Sequence, residues 1–267
     1  MSRKKEYNIY LCTNLFRLKS YLLLTQDKMS FNMLEPVIFV SLGPGEPELI
    51  TLKGLKVLQQ ADMVFCPSTV TKNRNISSRA QDILLELGIE KEKIHLFDVP
   101  MSKDRSKAIE SYKEVSEKIK GCFEKGSRIA VTAEGDAGFY STIYYISENL
   151  HSMDIPVERV AGVPAFIACG TLANIHIVKQ EEELNVIPGV TTLETLIEKI
   201  EKGASVVIMK PSQCEGIIKE AVSYMKDATF HYFENAGIMD KEFYTSDKPE
   251  ILSRTFPYFS LLIIRKD

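Results

Sequence analysis

The sequence has no tryptophan, only 4 histidines and 5 cysteines among its 267 residues. The cysteines, Cys12, Cys66, Cys122, Cys169 and Cys214, are odd in number and widely spaced, with no C-x-x-C pair. That pattern argues against a disulfide framework and against a structural zinc site, so no protein-bound metal is expected. Reduced thiols in a cytoplasmic enzyme are the expectation. No apolar run reaches the roughly eighteen residues that would signal a membrane span, and none is predicted. Nor is there an excess of basic charge. Lys plus Arg is 33 against 36 Asp plus Glu, a net charge of −3, which speaks against nucleic-acid binding through a broad basic face.

Several catalytic signatures are also missing. No Gly-Lys-Ser/Thr follows the glycines, which excludes a P-loop. No G-x-S-x-G elbow occurs, and no serine or cysteine has an evident histidine and acid partner, so acyl transfer has little support. His95, His151, His176 and His231 are scattered and read as structural or surface residues. Gly43-Pro44-Gly45 begins like a dinucleotide fingerprint, but Glu48 stands where the third glycine belongs. Pro44 also removes a backbone donor, and the second strand ends at Cys66-Pro67-Ser68 without an acid for a ribose. A dinucleotide oxidoreductase is therefore disfavoured.

What is present is a foldable chain, 45% hydrophobic and 26% charged. Residues 1–32 differ from the rest, with six basic residues against two acidic ones, while the other 235 hold 27 basic and 34 acidic. They read as an amino-terminal extension, disordered or translated from a start assigned too early; a basic arm contacting a partner is the alternative. From Val37 the pattern becomes strand, helix, strand. Strands are expected at 37–43, 63–66, 94–99, 128–132 and 157–160, with helices at 49–61, 80–87, 108–123, 141–150 and 164–172. Such β–α repetition with short connections implies a mostly parallel sheet covered on both faces. After Asn174 the pattern changes. Strands at 184–187, 205–209, 229–233 and 258–264 and helices at 193–200 and 217–225 suggest a mixed sheet, with antiparallel pairing among the last strands. The acidic run Glu181-Glu182-Glu183 reads as a linker or loop edge. The expected organisation is two α/β domains, 33–179 and 180–267, with a cleft between them suited to a ligand.

Three loops share one design: Gly43-Pro44-Gly45, Glu134-Gly135-Asp136-Ala137-Gly138 and Ala161-Gly162-Val163-Pro164. Each closes a strand with small or turn-forming residues, at the sheet end where α/β proteins bind ligands. The segment Gly135 to Thr142 has two readings. It is a tight turn with Ser141 or Thr142 capping the next helix, or a ligand loop whose Asp136 meets a cationic or hydroxyl-bearing group.

Together these loops resemble the tetrapyrrole methylase family. Val40 to Leu55 is similar to its amino-terminal signature, followed by Ala61-Asp62. The Gly135-Asp136 loop, Ile187-Pro188-Gly189, Val206 to Lys210 and Phe233-Glu-Asn-Ala236 resemble later family segments in order, over about residues 36–267. Within the family, Phe139-Tyr-Ser-Thr142 and Pro257 to Ile264 resemble the branch that methylates C20 of precorrin-2 or cobalt-factor II in cobalamin (corrin) biosynthesis. A sister methylase acting at another ring carbon or on diphthine, and a non-catalytic protein that kept the donor cleft, are the alternatives. The resemblance implies a two-domain homodimer with S-adenosylmethionine folded in the interdomain cleft, and cobalt entering only within the substrate. It places the donor at Pro44, Glu134, Gly135, Asp136, Phe139, Pro164, Ala165, Met209 and Ala236. Asp136 and Tyr140 are the candidate catalytic groups. A polycarboxylate substrate needs basic side chains, and Arg74, Lys103 and Arg105 are the candidates, with Lys72 and Arg79 beside them. Two departures stand out. Ala137 replaces the family's usual proline, and Ala161-Gly162-Val163-Pro164 replaces its usual Pro-Gly-Val-Ser/Thr.

Overall fold

The computed structural model describes residues 34–70, 76–99, 106–238 and 240–266. The amino-terminal extension and the expected substrate contacts Arg74, Lys103 and Arg105 lie outside the described residues. Pro36–Asp267 forms one compact unit.

Its first half alternates β1 (Val37–Ser41), α1 (Leu52–Gln60), β2 (Met63–Val70), β3 (Ile76–Ser77), α2 (Arg79–Glu86), β4 (Ile94–Asp98), α3 (Ser106–Phe123), β5 (Ile129–Ala133), α4 (Tyr144–Ser152), β6 (Val157–Val160) and α5 (Ala165–Leu172). Strands β4, β2, β5, β1 and β6 lie side by side and parallel, and β3 adds a short antiparallel ladder at the end of β2. All five parallel strands therefore point their carboxyl ends the same way. β5 is buried at every position and β1 at all but one, as expected for strands with helices on both faces. Phe39, Val131 and Ile146 belong to one side's core, and Val40, Val64 and Leu84 to the other's. The Ala61-Asp62 motif has a structural reason. The Asp62 carboxylate accepts bonds from the Arg128 backbone N–H and guanidinium, tying the start of β2 to the start of β5. That pairing holds its carboxyl down to about 2.

β2 runs past Pro67, where the sequence suggested an end. Pairing with β5 already stops at Phe65, so the proline costs that ladder nothing. Helix α4 begins at Tyr144, later than expected, with Ile143 as its cap residue. Ser141 and Thr142 do not cap it.

The second half holds β7 (Leu184–Ile187), α6 (Leu193–Glu201), β8 (Ser205–Met209), α7 (Glu215–Tyr224), β9 (Ala228–Glu234), β10 (Phe243–Thr245), α8 (Lys248–Ser253) and β11 (Ser260–Lys266). The sheet order is β10-β9-β11-β8-β7, parallel only between β7 and β8. The mixed sheet matches the sequence pattern, but the link from β9 to β11 is no simple loop: it carries β10 and α8. Side chains alternate by twos. Val206, Ile208, Leu262 and Ile264 join the core under α6 and α7, while Val207, Leu261 and Ile263 face Phe166 and Cys169 of α5. Helix α5, which follows β6 of the first sheet, thus packs on the second sheet through apolar side chains. Burying each such side chain contributes about 1.5–3 kcal/mol.

The acidic run is not a free linker. Glu182 pairs with Arg265 of β11 at 3.2 Å, and the Glu183 carbonyl accepts the N–H of Ser205.

Candidate active site

The loops at the carboxyl ends of the first sheet are bonded to one another before any ligand is considered. β1 and β5 are neighbours, so their loops meet: Gly43 and Gly135 exchange backbone bonds of 3.1 and 2.6 Å. Both glycines have positive φ, +81° and +68°, a region that side chains disfavour. Ser41, fully buried at the end of β1, donates through its hydroxyl to the Val160 carbonyl at 2.6 Å and accepts the Ala137 N–H at 2.8 Å. The Asp136 carboxylate accepts the N–H of Gly138 at 2.8 Å and of Gly162 at 2.7 Å. Thr51 caps α1 through the Gly54 N–H and reaches the Ala161 carbonyl. The β1, β5 and β6 loops are one hydrogen-bonded assembly.

The second sheet meets it by close backbone contact. A Cβ on Gly45 would lie 3.0 Å from the Gly237 backbone, and one on Gly189 would lie 2.6 Å from the Met209 and Lys210 carbonyls. Only glycine allows these approaches, which bring Ala236 beside the first loop and seat the Met209–Lys210 turn on the Pro188-Gly189 segment. Tyr140, at φ +49°, adds a tether by donating its hydroxyl to the Val186 carbonyl of β7 at 3.1 Å.

The result is a cavity of about 300 Å³. All nine expected donor-site residues line it, and so does Tyr140. The sequence did not single out Cys169, Phe233, Tyr258 and Phe259, which also form its wall. A Cβ on Gly135 would meet no protein atom within 4 Å, so this backbone faces open space. At Pro164, the cap residue of α5, no side chain caps the helix. With proline at this position, no hydroxyl serves the first N–H groups of α5.

Arg79 and Glu134 stand on opposite sides of one corner of the cavity, 3.4 Å apart. Burial pushes the Glu134 carboxyl up, and the Arg79 charge opposes this. Burial pushes the Arg79 guanidinium down, and Glu134 opposes that. The histidine expected to be structural at position 231 is buried, bonded to the Tyr244 hydroxyl at 2.9 Å.

Burial also governs the thiols. It pushes Cys66 up to about 11 and Cys169 still further, whereas Cys122 is partly exposed. Iodoacetamide at pH 8 should therefore label Cys122 well before Cys66 or Cys169, as peptide mass spectrometry over a time course would read, because only thiolate reacts.

Residues 36–251 match the family profile of tetrapyrrole (corrin/porphyrin) methylases. The chain belongs to the tetrapyrrole methylases. It is 26% identical over 232 residues to a precorrin-2 C(20)-methyltransferase from a Sinorhizobium species, covering 85% of this chain and 94% of that one. It is 26% identical over 238 residues to a probable cobalt-precorrin-2 C(20)-methyltransferase from Methanocaldococcus jannaschii, covering 88% and 97%. Its fold superposes on uroporphyrin-III C-methyl transferase from Thermus thermophilus, solved with S-adenyl homocysteine, with a TM-score of 0.61, 16% identity, and 86% and 97% coverage.

The departure from the methylase pattern at position 137 now has a partner. The Ala137 N–H donates to Ser41 Oγ, and proline has no N–H. Restoring the family's residue as Ala137→Pro should cost about 1 kcal/mol, a fall of about 2–4 °C in the midpoint of thermal unfolding.

Proposed function

We propose that this methylase transfers a methyl group from S-adenosylmethionine to C20 of precorrin-2 or cobalt-factor II, in the cytoplasm, within cobalamin (corrin) biosynthesis. The observation that carries the reading is the cavity itself, where five loops from two sheets bring Pro44, Glu134, Gly135, Asp136, Phe139, Pro164, Ala165, Met209 and Ala236 together. Its size is at the lower end of the range for small-molecule sites, and its apolar wall broken by a few polar groups is their usual character. The residues present fit the donor. Gly135 leaves backbone exposed to open space, Phe139, Met209 and Ala236 offer apolar surface, and the uncapped start of α5 offers N–H groups. The two relatives named for C20 methylation, aligned over 85% and 88% of this chain, support the choice of carbon.

When bound, the donor would supply an activated methyl group on a positively charged sulfur. The protein's part is then to orient two reactants and exclude water, and orientation alone can contribute about 7–11 kcal/mol. Asp136 and Tyr140 serve that end. The Asp136 carboxylate is engaged by two backbone N–H groups and the Tyr140 hydroxyl by Val186, so both hold the walls of the cavity in place. Arg74, Lys103 and Arg105 remain proposed contacts for the substrate's carboxylates. No metal-binding role is assigned to the protein, and any cobalt belongs to the substrate.

The reading includes a homodimer and two domains divided near residue 180. Partly exposed Ile167, Leu172, Val178 and Leu184 support the first, and the passage from one sheet to the other between Leu172 and Leu184 supports the second. Light scattering and limited proteolysis test them in turn.

The deciding experiment is anaerobic incubation with S-adenosylmethionine and each acceptor, followed by mass spectrometry and carbon NMR. One new methyl at C20 establishes the reaction, and the faster acceptor assigns the substrate. Methylation at another carbon would make it a sister methylase.

A further inference from the structure

Arg79 is placed unlike an ordinary surface arginine. It is the first residue of α2, just after the hydroxyl of Ser78 caps that helix by accepting the Gln81 N–H. Its side chain is only 17% exposed, lines the cavity, and carries its guanidinium 4.2 Å from the centre of the Phe259 ring. A guanidinium has five N–H donors. Among the described residues none of them makes a hydrogen bond, and buried Nε is one of two buried side-chain polar atoms without such a partner. The Glu134 contact is an ion pair of 3.4 Å through Nε, and among the described residues it leaves the outer N–H groups unengaged. Leaving a buried charged donor unsatisfied costs a native protein stability. Nε faces Glu134, and the outer nitrogens of the planar fork suit a ligand carboxylate in bidentate fashion.

The position of Arg79 also says which reactant it meets. The proposed donor loops follow β1, β5 and β6, whereas Arg79 follows the β2–β3 ladder, on the far side of β5 from β1 and β6. β5 lies between β1 and β2, so at about 4.8 Å per strand the two ends of the cavity start about 10 Å apart. Glu134, from the end of β5, sits between them. The cavity lining that includes Arg79 also includes Ser68, Thr69, Ser77, Val99 and Tyr258. The hydroxyls of Ser68 and Thr69 are already spent on backbone carbonyls. Phe259 covers one face of the guanidinium.

We propose that Arg79 anchors a carboxylate of the methyl acceptor, with Glu134 and Phe259 holding its guanidinium in the orientation that receives it. The proposal rests on the acceptor being a polycarboxylate macrocycle, as the preceding section reads it. Glu134, also one of the proposed donor-site residues, acts here as a positioning residue through its ion pair with Arg79.

The test uses the full chain and two variants, Arg79→Gln and Arg79→Lys. Three quantities are measured: acceptor KM and kcat with whichever of precorrin-2 and cobalt-factor II the unaltered enzyme methylates, the affinity for S-adenosylhomocysteine by calorimetry, and binding of that macrocycle followed by its own visible absorption. Arg79→Gln should raise acceptor KM and the macrocycle's dissociation constant at least 30-fold. Arg79→Lys, which keeps the charge and loses the fork, should raise them by about 3- to 10-fold. S-adenosylhomocysteine affinity should stay within 2-fold for both, and kcat at saturating acceptor within about 3-fold. If Arg79→Gln fails to fold, Arg79→Lys decides by the same quantities. Unchanged acceptor binding in a folded variant overturns the proposal. So does a tenfold loss of S-adenosylhomocysteine affinity with acceptor KM unchanged, which would give Arg79 to the donor's carboxylate. Failure of the unaltered enzyme to bind or methylate either macrocycle is a separate result, visible before any variant is made. It would remove the functional reading and this proposal together.

Discussion

Gly162→Ala should cost about 3 kcal/mol and bring the loss of measurable S-adenosylhomocysteine binding with it. A Cβ built at this position lies 2.3 Å from Ser41 Cβ and 2.9 Å from the Gly135 carbonyl oxygen. Neither atom is the free end of a flexible side chain. Ser41 is fully buried at the end of β1 and held through its hydroxyl to Val160 and Ala137. The methyl group can be accommodated only by moving β1 away from the β6 loop. That movement also stretches the 2.7 Å bond from the Gly162 N–H to Asp136. Overpacking costs about 1–3 kcal/mol where the surroundings cannot yield, and here a charged hydrogen bond is weakened as well. For a unit of this size, 3 kcal/mol corresponds to a fall of about 6–12 °C in the unfolding midpoint. Gly121→Ala is the control. It lies inside α3 with nothing within 4 Å of its added Cβ, so it should be neutral or stabilising by up to about 1 kcal/mol. Calorimetric scans and S-adenosylhomocysteine titrations of both variants check this. A Gly162→Ala protein as stable as the Gly121→Ala control would mean that the three loops are not packed as described.

The sequence showed the architecture through its repeating units. Continuous apolar runs such as Val37 to Ser41 specify a strand buried on both faces, and the amphipathic spacing in Ser106–Phe123 specifies a covering helix. That the nine proposed donor-site residues share one cavity was legible because each loop carries its own local mark, a glycine or proline at a strand end. Elements without a local mark were not legible. β3 and β10 have two and three residues, too short to show a period of two. The pairing of Arg79 with Glu134 joins residues 55 positions apart, and Phe259 comes from a third segment. No spacing rule connects them; the parallel order β2-β5 and the contact of the segment just before β11 with Arg79 do. The role of Asp136 had the same difficulty. A carboxylate in a glycine loop looks alike in sequence whether it faces a ligand or the backbone of the next loop.

Asp136→Asn separates those two roles. The Asp136 carboxylate has Oδ1 accepting the Gly138 N–H and Oδ2 accepting the Gly162 N–H. An asparagine has one acceptor oxygen and one NH₂ group. Whichever way it turns, an NH₂ faces a backbone N–H. The change removes one charge-assisted bond and sets two donors against each other. Hydrogen bonds to charged groups contribute about 1.5–3 kcal/mol each; the change loses either the Gly138 bond that shapes the β5 loop or the Gly162 bond that joins it to the β6 loop, and takes the charge from the one that remains. The unfolding midpoint should fall and S-adenosylhomocysteine affinity should drop at least 10-fold, while kcat at saturating donor and acceptor, and its pH profile, change little. A carboxylate that takes a proton in the reaction predicts the opposite split. In that case stability and donor affinity would hold, kcat would fall by 100-fold or more, and one limb of the pH profile would vanish. Differential scanning calorimetry, donor titration and kcat over a pH series on the same preparation distinguish the two. The geometry favours the first outcome, because both oxygens of Asp136 are already turned toward the protein's own backbone.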